Sequence, residues 1–309
     1  MIPYTIGSTW IIPIPKSNSA MSFADYRPIN LCNFSSKIFS KIIAIRLSLI
    51  LQNIISIEQT AFVKGRNIAY NIILAQEMLN RINRRNRGNN TILKLDMKSA
   101  FDQVDWRYLE MVLKRFGFSD KFIRMVNNYL TSNMFSVLIN GCPQGFFPAS
   151  RGVRQGDSLS PALYVLASEV LIRSLKKLME EKKIDTYSIP RGSPLISSLA
   201  FADDTLIFTS ARSHSLKQLM NFLNIYQALS GQCINMGKST FTCHNNISKN
   251  VGRRIMRITG FSKGKLPMKY LGVLIAKGRM KMKCSNHWLI RYSGELMVLL
   301  AKICLRVGS

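Results

Sequence analysis

The chain predicts an α+β fold, and three observations carry that prediction. Short apolar segments with strand character are mixed with helical ones, without the regular βαβα alternation of a parallel-sheet protein. A long apolar stretch, residues 158–181, has few polar positions before Arg173 and must be a buried helix. Hydrophobic residues make up 47% of 309, enough to bury a large core and to fill two packed subdomains.

RINRRNRGNN, residues 81–90, holds four arginines, Gly88 and several asparagines, and reads as a loop at a soft joint. TILKLDM, 91–97, is a short strand. SAFDQVDWRYLEMVLKRFGF, 99–118, places Phe101, Val104, Leu109, Val112 and Phe116 near helical spacing, with Gly117 suited to the C-terminal end. That reading puts Phe101 on the helix's apolar face and makes Asp102 and Asp105 solvated or capping. FSVLINGCPQGFFPA, 135–149, predicts two strands turned over Gly141 to Gly145. The helix over 158–181 has Ser158 or Ser160 as its cap and Pro161 in its first turn. SSLAFADDTLIFTS, 197–210, reads strand–turn–strand with Ala202-Asp203-Asp204 at the turn.

The charge balance points to a partner. Lys+Arg number 43 against 16 Asp+Glu, a formal net charge of +27. Such an excess implies a polyanion, nucleic acid first and an anionic membrane surface second. From Thr205 to Gly294 there are 90 residues with 15 Lys or Arg and no acidic residue. A merely solvated surface mixes both signs, so this block reads as a face that tracks phosphates. No apolar run reaches the roughly 18–20 residues of a membrane span, and the N-terminal stretch lacks the pattern of a secretory signal. Six scattered cysteines (Cys32, Cys142, Cys233, Cys243, Cys284, Cys304) without a CxxC pair argue for reduced thiols in an intracellular protein rather than a zinc site.

The candidate chemistry rests on Asp96, Asp203 and Asp204. Each ends or interrupts an apolar strand-like run, where an unpaired carboxylate is costly. If the two strands are neighbours in one sheet, the carboxylates converge at its edge, and a hard divalent cation there reverses the electrostatics. Two Mg²⁺ ions about 3.5–4 Å apart are the recurrent engine of nucleotidyl transfer. Neighbouring strand residues face opposite sides, so one of Asp203 and Asp204 should coordinate more directly than the other. Between the aspartates lies RGVRQGDSLSP, 151–161, a Gly-rich basic loop entering a helix. Its amides with Arg151 or Arg154 suit a phosphate or a template strand, while Asp157 argues for a cap.

Taken together, these segments resemble the reverse transcriptase domain of plant LINE-type (non-LTR) retrotransposons. The resemblance runs from about Trp10 to about Lys283. WIIPIPK and ADYRPINLCNFSSKIFSKIIAIRL look like the fingers motifs, LKLDMKSAFDQVDW like the first palm motif, RGVRQGDSLSPALYVLASEVL like the second and LAFADDTLIF like the third. GQCINMGKST is similar to the fourth, and KYLGVLIAKGRM to the primer-grip region.

The resemblance implies a right-hand polymerase fold: an antiparallel palm sheet backed by helices, fingers, and a thumb largely missing. Fingers would span 1–90 and the palm 91–284, with an inserted fingers segment at about 110–150; 285–309 would be a degraded start of the thumb region. It implies RNA-directed DNA polymerase activity with two Mg²⁺ ions, Mn²⁺ being a substitute. Asp96, Asp203 and Asp204 would hold the metals, with the Met97 carbonyl as an extra ligand. Lys16 and Arg27 would hold the incoming triphosphate, Gln155 would sit beside the nucleotide, and Phe101 would exclude a 2′-hydroxyl. Lys238 would protonate departing pyrophosphate, and Tyr270-Leu271-Gly272 would support the primer terminus. The implied partners are an RNA template, a DNA primer and deoxynucleoside triphosphates, with no membrane; the site of action is the nucleus, with the cytoplasm as the alternative.

Simpler roles stand beside several assignments. Phe101 also fits core packing, Arg27 a surface turn, Lys238 one lysine among many, and Tyr270-Leu271-Gly272 the end of a strand. The chain departs from the family pattern at Tyr70, where an acidic residue is usual, and at Ser158, where proline is usual. The resemblance begins near the fingers, so no endonuclease domain is expected among these residues, and it fades after Lys283. Two alternatives therefore remain: a non-catalytic RNA-binding remnant of a decayed or maturase-like element, and a viral-type RNA-dependent RNA polymerase, against which Phe101 argues.

Overall fold

The structure is a computed structural model that describes residues 7–84, 88–190, 192–244 and 247–278. It opens with an antiparallel hairpin of β1 (Ser8–Pro15) and β2 (Tyr26–Cys32), in which Ile14 faces Arg27. Helices α1 (Phe34–Ile54) and α2 (Ile68–Asn80) follow, each started by an asparagine whose side chain accepts a backbone N–H, Asn33 from Ser35 and Asn67 from Ala69. After the 81–89 loop come β3 (Asn90–Leu95) and the short β4 (Met97–Lys98), then α3 (Trp106–Arg115) and α4 (Asp120–Thr131). The hairpin β5 (Met134–Ile139) and β6 (Cys142–Pro148) leads to the long α5 (Ser160–Glu180).

The second half contains β7 (Ser198–Phe201), β8 (Asp204–Ser210), α6 (Ser213–Ser230), β9 (Cys233–Ile234), β10 (Thr240–Cys243), α7 (Lys249–Thr259), β11 (Ser262–Lys263), β12 (Met268–Tyr270) and β13 (Val273–Ile275). The strands form a four-stranded sheet in the order β2-β1-β5-β6 and a five-stranded sheet in the order β11-β10-β3-β8-β7. β12 pairs with β13, and β4 with β9.

The five-stranded sheet is covered on both faces. Leu93, Leu95 and Ile207 join a core with α5 and α6, while Ile92, Leu206 and Phe208 join a second with α2, β12 and β13. This is strand alternation at work: odd positions of β3 and β8 face one layer and even positions the other. Each fully buried side chain of this kind contributes about 1.5–3 kcal/mol, so Leu95→Ala, for example, costs about 2–5 kcal/mol. Among the described residues no helix is long and apolar enough to cross a membrane.

Three local expectations are corrected. The helix expected over 99–118 begins only at Trp106, because Asp105 is its cap and accepts the Tyr108 N–H at 2.9 Å. Residues 99–103 are turns, held by Gly152 N–H donating to the Val104 carbonyl and Val153 N–H to the Phe101 carbonyl, both at 2.8 Å. Gly152 is required there: at φ +86°, an added Cβ would stand 2.6 Å from the Asp102 carbonyl oxygen. Neither Ser158 nor Ser160 caps α5; the capping position is Leu159, without a side-chain hydrogen bond, although Pro161 does sit in the first turn. The β5–β6 turn is narrower than Gly141 to Gly145, closing at Asn140 and Gly141, both of positive φ.

Candidate active site

β3 and β8 are antiparallel neighbours, with Leu95 opposite Thr205. Asp96 follows Leu95 and Asp204 precedes Thr205, so both carboxylates leave the strands at the same end of the sheet, where the charge of Asp96 acts on Asp204. Asp203 and Asp204 occupy the tight β7–β8 turn, where Phe201 pairs with Asp204. Ala202 takes φ +54° to make that turn, a strained conformation for a residue with a Cβ.

The two turn aspartates act on tyrosines of different cores. Tyr164 of α5 feels the charge of Asp203, and Tyr270 of β12 feels that of Asp204. Burial pushes the Asp203 carboxyl upward, reinforced by the like charges of Asp204 and Asp96. Burial also raises Asp204, offset by Lys94, whose Nζ lies 3.8 Å from Asp204 Oδ1, and reinforced by Asp96. Lys94 Nζ also donates to the Lys269 carbonyl at 2.9 Å, tying the β12–β13 hairpin to the carboxylates.

Among the described residues, no group of three or more His, Cys, Asp or Glu side chains is assembled for a metal ion. The donor chemistry fits a hard divalent cation: carboxylate oxygens at neighbouring strand ends, two of them partly desolvated, with Lys94 as the cationic partner of Asp204.

Other predicted residues gather around this edge to different degrees. Asp96 accepts Asn235 N–H at its carbonyl (2.8 Å), and its own N–H donates to Ser239 Oγ (3.2 Å). Lys238, exposed, lies in that same Asn235–Ser239 turn and is thus brought beside Asp96 in the chain path. Met97 is buried on β4, opposite Ile234. Phe101 lies in the turn before α3, not on a helix face, and its ring stacks on Tyr164 at 4.7 Å and 18°, on the side where Asp203 acts. Gln155 is half-buried in the loop clasped to the Phe101 turn, and its carbonyl accepts Asn30 N–H of β2 at 3.0 Å. Tyr270 is buried, with Leu271 and Gly272 forming a two-residue turn of positive φ.

Lys16 and Arg27 are exposed on the β1–β2 hairpin, in the other sheet, which reaches the site through the Asn30–Gln155 hydrogen bond. Arg154 is not a phosphate contact. It is buried, donating to Thr9 Oγ1 (3.3 Å) and Ser36 Oγ (3.1 Å) and lying 4.3 Å over the Tyr129 ring. Asp157 caps no helix; it is buried and accepts the Tyr129 hydroxyl at 2.9 Å. Asp102 is half-buried rather than solvated, and burial raises its carboxyl. Cys32, Cys142, Cys233 and Cys243 are free thiols, while Cys284, Cys304 and the thumb segment 285–309 lie outside the described residues.

Sequence reasoning missed Gln59. Its side chain is fully buried, and Oε1 accepts the N–H of Ala202 at 3.2 Å and that of Ala61 at 3.0 Å. The signal in the sequence was a polar pair, Gln59 and Thr60, beside the buried Ala61 and Val63, with a partner more than 140 residues away.

Comparison with known proteins bears directly on this arrangement. Residues 14–275 match the family described as reverse transcriptase (RNA-dependent DNA polymerase). The transposon TX1 uncharacterized 149 kDa protein of Xenopus laevis is 30% identical over 227 residues, covering 74% of this chain and 17% of that protein. The Pol polyprotein of type-2 retrotransposable element R2DM of Drosophila melanogaster is 27% identical, covering 72% of this chain and 20% of that protein. The chain thus spans a fifth or less of the length of these relatives. Telomerase from Candida tropicalis, solved with a fragment of telomeric RNA, superposes with a TM-score of 0.57 at 16% identity, over 91% of this chain and 45% of that one, a likeness of fold. The fold is thus similar to that of telomerase, and the chain belongs to the reverse transcriptase (RNA-dependent DNA polymerase) family, homologous to that domain of non-LTR retrotransposable elements.

Proposed function

We propose that this domain copies an RNA template into DNA, adding deoxynucleotides to a DNA primer 3′-hydroxyl within a plant LINE-type element. The observation that supports the reading is the β3–β8 register: Leu95 lies opposite Thr205, so Asp96 and the Asp203-Asp204 turn follow at the same end of the sheet. The reverse transcriptase family uses divalent metal ions; here Asp96, Asp203 and Asp204 would hold two Mg²⁺, or Mn²⁺ in their place, with the Met97 carbonyl as an added oxygen. Such ions supply a lowered pKa at the attacking hydroxyl and charge neutralisation at the leaving pyrophosphate.

The chain's own residues do the rest. Phe101, braced on Tyr164, presents a ring beneath the sugar and excludes a 2′-hydroxyl. Gln155 orients the nucleotide, Lys16 and Arg27 bind its phosphates from the hairpin sheet, and Lys238 gives its proton to pyrophosphate. The Tyr270-Leu271-Gly272 turn, tied to Asp204 through Lys94 and Lys269, orients the primer end.

Fingers at 1–90, a palm at 91–284 and an inserted fingers segment at about 110–150 are supported by β5 and β6 joining the sheet of β1 and β2. The nucleus, where target DNA lies, is the proposed site of action. Primer extension on an RNA template with Mg²⁺ tests the reading: deoxynucleotide addition by the wild type and none by Asp203→Ala is expected, and equal addition by both would overturn it.

A second reading, RNA binding without turnover, is favoured by one observation. α7 exposes Lys249, Arg253 and Arg257 along one line four residues apart, in the acid-free block. That face can follow a phosphate backbone whether or not the carboxylates work.

A further inference from the structure

We propose that Gln59 is a positioning residue that sets the aspartate turn, coupling the segment after α1 to the catalytic edge; the inference rests on the polymerase reading of that edge. Ala202 must hold φ +54° between Phe201 and Asp203, and such a conformation persists only where its surroundings over-determine it. Gln59 Oε1, accepting Ala202 N–H, is one of those constraints.

The segment around Gln59 is itself fixed. Ala200 N–H donates to the Glu58 carbonyl at 2.8 Å and Thr60 N–H to the Ala200 carbonyl at 3.1 Å, laying residues 58–60 parallel to β7. Asn71 Nδ2 donates to the same Ala200 carbonyl at 2.8 Å. Behind it, the Arg66 guanidinium binds the carbonyls of Ser56 and Gln59 (both 2.5 Å) and Ile55 (2.6 Å) at the end of α1. Glu169 of α5 accepts Ser56 N–H at 2.9 Å. The side-chain oxygen is thus delivered to Ala202 from a frame made by α1, α2 and α5.

Packing alone does not account for a glutamine here. Among the described residues its Nε2 is buried without a hydrogen-bond partner, a cost that leucine or methionine of similar volume would avoid. What glutamine adds is the acceptor, which satisfies two buried backbone donors, at Ala61 and Ala202.

The test compares the full chain with Gln59→Leu and with Gln59→Leu combined with Ala202→Gly, since glycine adopts positive φ without strain. Three quantities are read: amide exchange of residues 198–206 in metal-free protein, binding of Mn²⁺ alone, and the single-turnover extension rate alongside RNA–DNA duplex affinity. Gln59→Leu should speed exchange and weaken Mn²⁺ binding by about tenfold each, and slow extension by at least about tenfold, as expected for losing one buried hydrogen bond and misplacing reacting groups. Duplex affinity should stay within about twofold, because Gln59 touches no exposed surface. Adding Ala202→Gly should recover at least about threefold of the exchange and Mn²⁺ effects, which relief of backbone strain predicts and a packing role does not.

Unchanged exchange and Mn²⁺ binding in Gln59→Leu, or no recovery with Ala202→Gly, would overturn the assignment. If Gln59→Leu does not fold, Gln59→Met carries the same readings, and failure of Ala202→Gly to restore folding or exchange in either background also overturns it. The exchange measurement reads the Gln59–Ala202 contact even if wild-type protein extends no primer, so failure of the polymerase reading is separately visible.

Discussion

At the scale of single residues the carboxylate edge is an electrostatic liability in the metal-free protein. Burial raises the Asp203 and Asp204 carboxyls and mutual repulsion adds to it, so their ionised forms oppose folding. The penalty is absent below the ordinary carboxylate range and grows as pH rises through it and up to the raised folded values. Asp203→Asn should therefore raise the metal-free melting temperature near neutral pH by about 2–4 °C, with little change at acid pH. Mg²⁺ should stabilise the wild type and leave Asp203→Asn unmoved; a destabilised Asn variant would contradict the electrostatic picture. Phe101 belongs to the same scale. Phe101→Val removes the ring stacked on Tyr164 and should improve ribonucleotide incorporation relative to deoxynucleotide by about tenfold or more. Unchanged sugar selection would leave Phe101 as packing only.

At the scale of elements, stability and legibility can be argued together. Asp185 knots the segment before β7 to β8 and α6: Ser215 Oγ (2.7 Å), Ser210 Oγ (3.0 Å) and Arg212 Nη1 (3.3 Å) all donate to Oδ2. Partial burial pushes its carboxyl up, but these bonds outweigh burial and hold it below the usual range. That stabilisation is present above the unfolded carboxylate pKa and disappears as pH falls through the depressed folded value. Asp185→Asn should flatten the acid limb of a stability–pH curve and cost about 1 kcal/mol at neutral pH; an unchanged acid limb would rule the knot out. The strands bearing Asp96, Asp203 and Asp204 were legible because apolar runs mark β3, β7 and β8, and antiparallel register does the rest. The start of α3 was not, since Phe101 and Val104 continue a helical period that Gly152 and the Asp105 cap interrupt. Arg154 and Asp157 read as surface charges in a Gly-rich loop, yet Tyr129, about 25 residues earlier, buries both. Gln59 was invisible for the same reason: its partner is local only in space.

At the scale of the whole molecule, the +27 charge predicts that the proposed nucleic-acid binding is strongly salt-dependent. Neutralising Lys249, Arg253 and Arg257 of α7 to glutamine should reduce the salt slope of single-stranded RNA binding by about 2, at roughly 0.7 per phosphate contact, while extension on a short template persists. An unaltered slope would place the RNA elsewhere. The most direct test is single-turnover extension of a DNA primer on an RNA template with Mg²⁺, comparing wild type, Asp96→Ala and Asp203→Ala at matched duplex occupancy. The account predicts deoxynucleotide addition by the wild type, with each variant at least about a thousandfold slower and duplex affinity retained; extension by Asp203→Ala at the wild-type rate would contradict it.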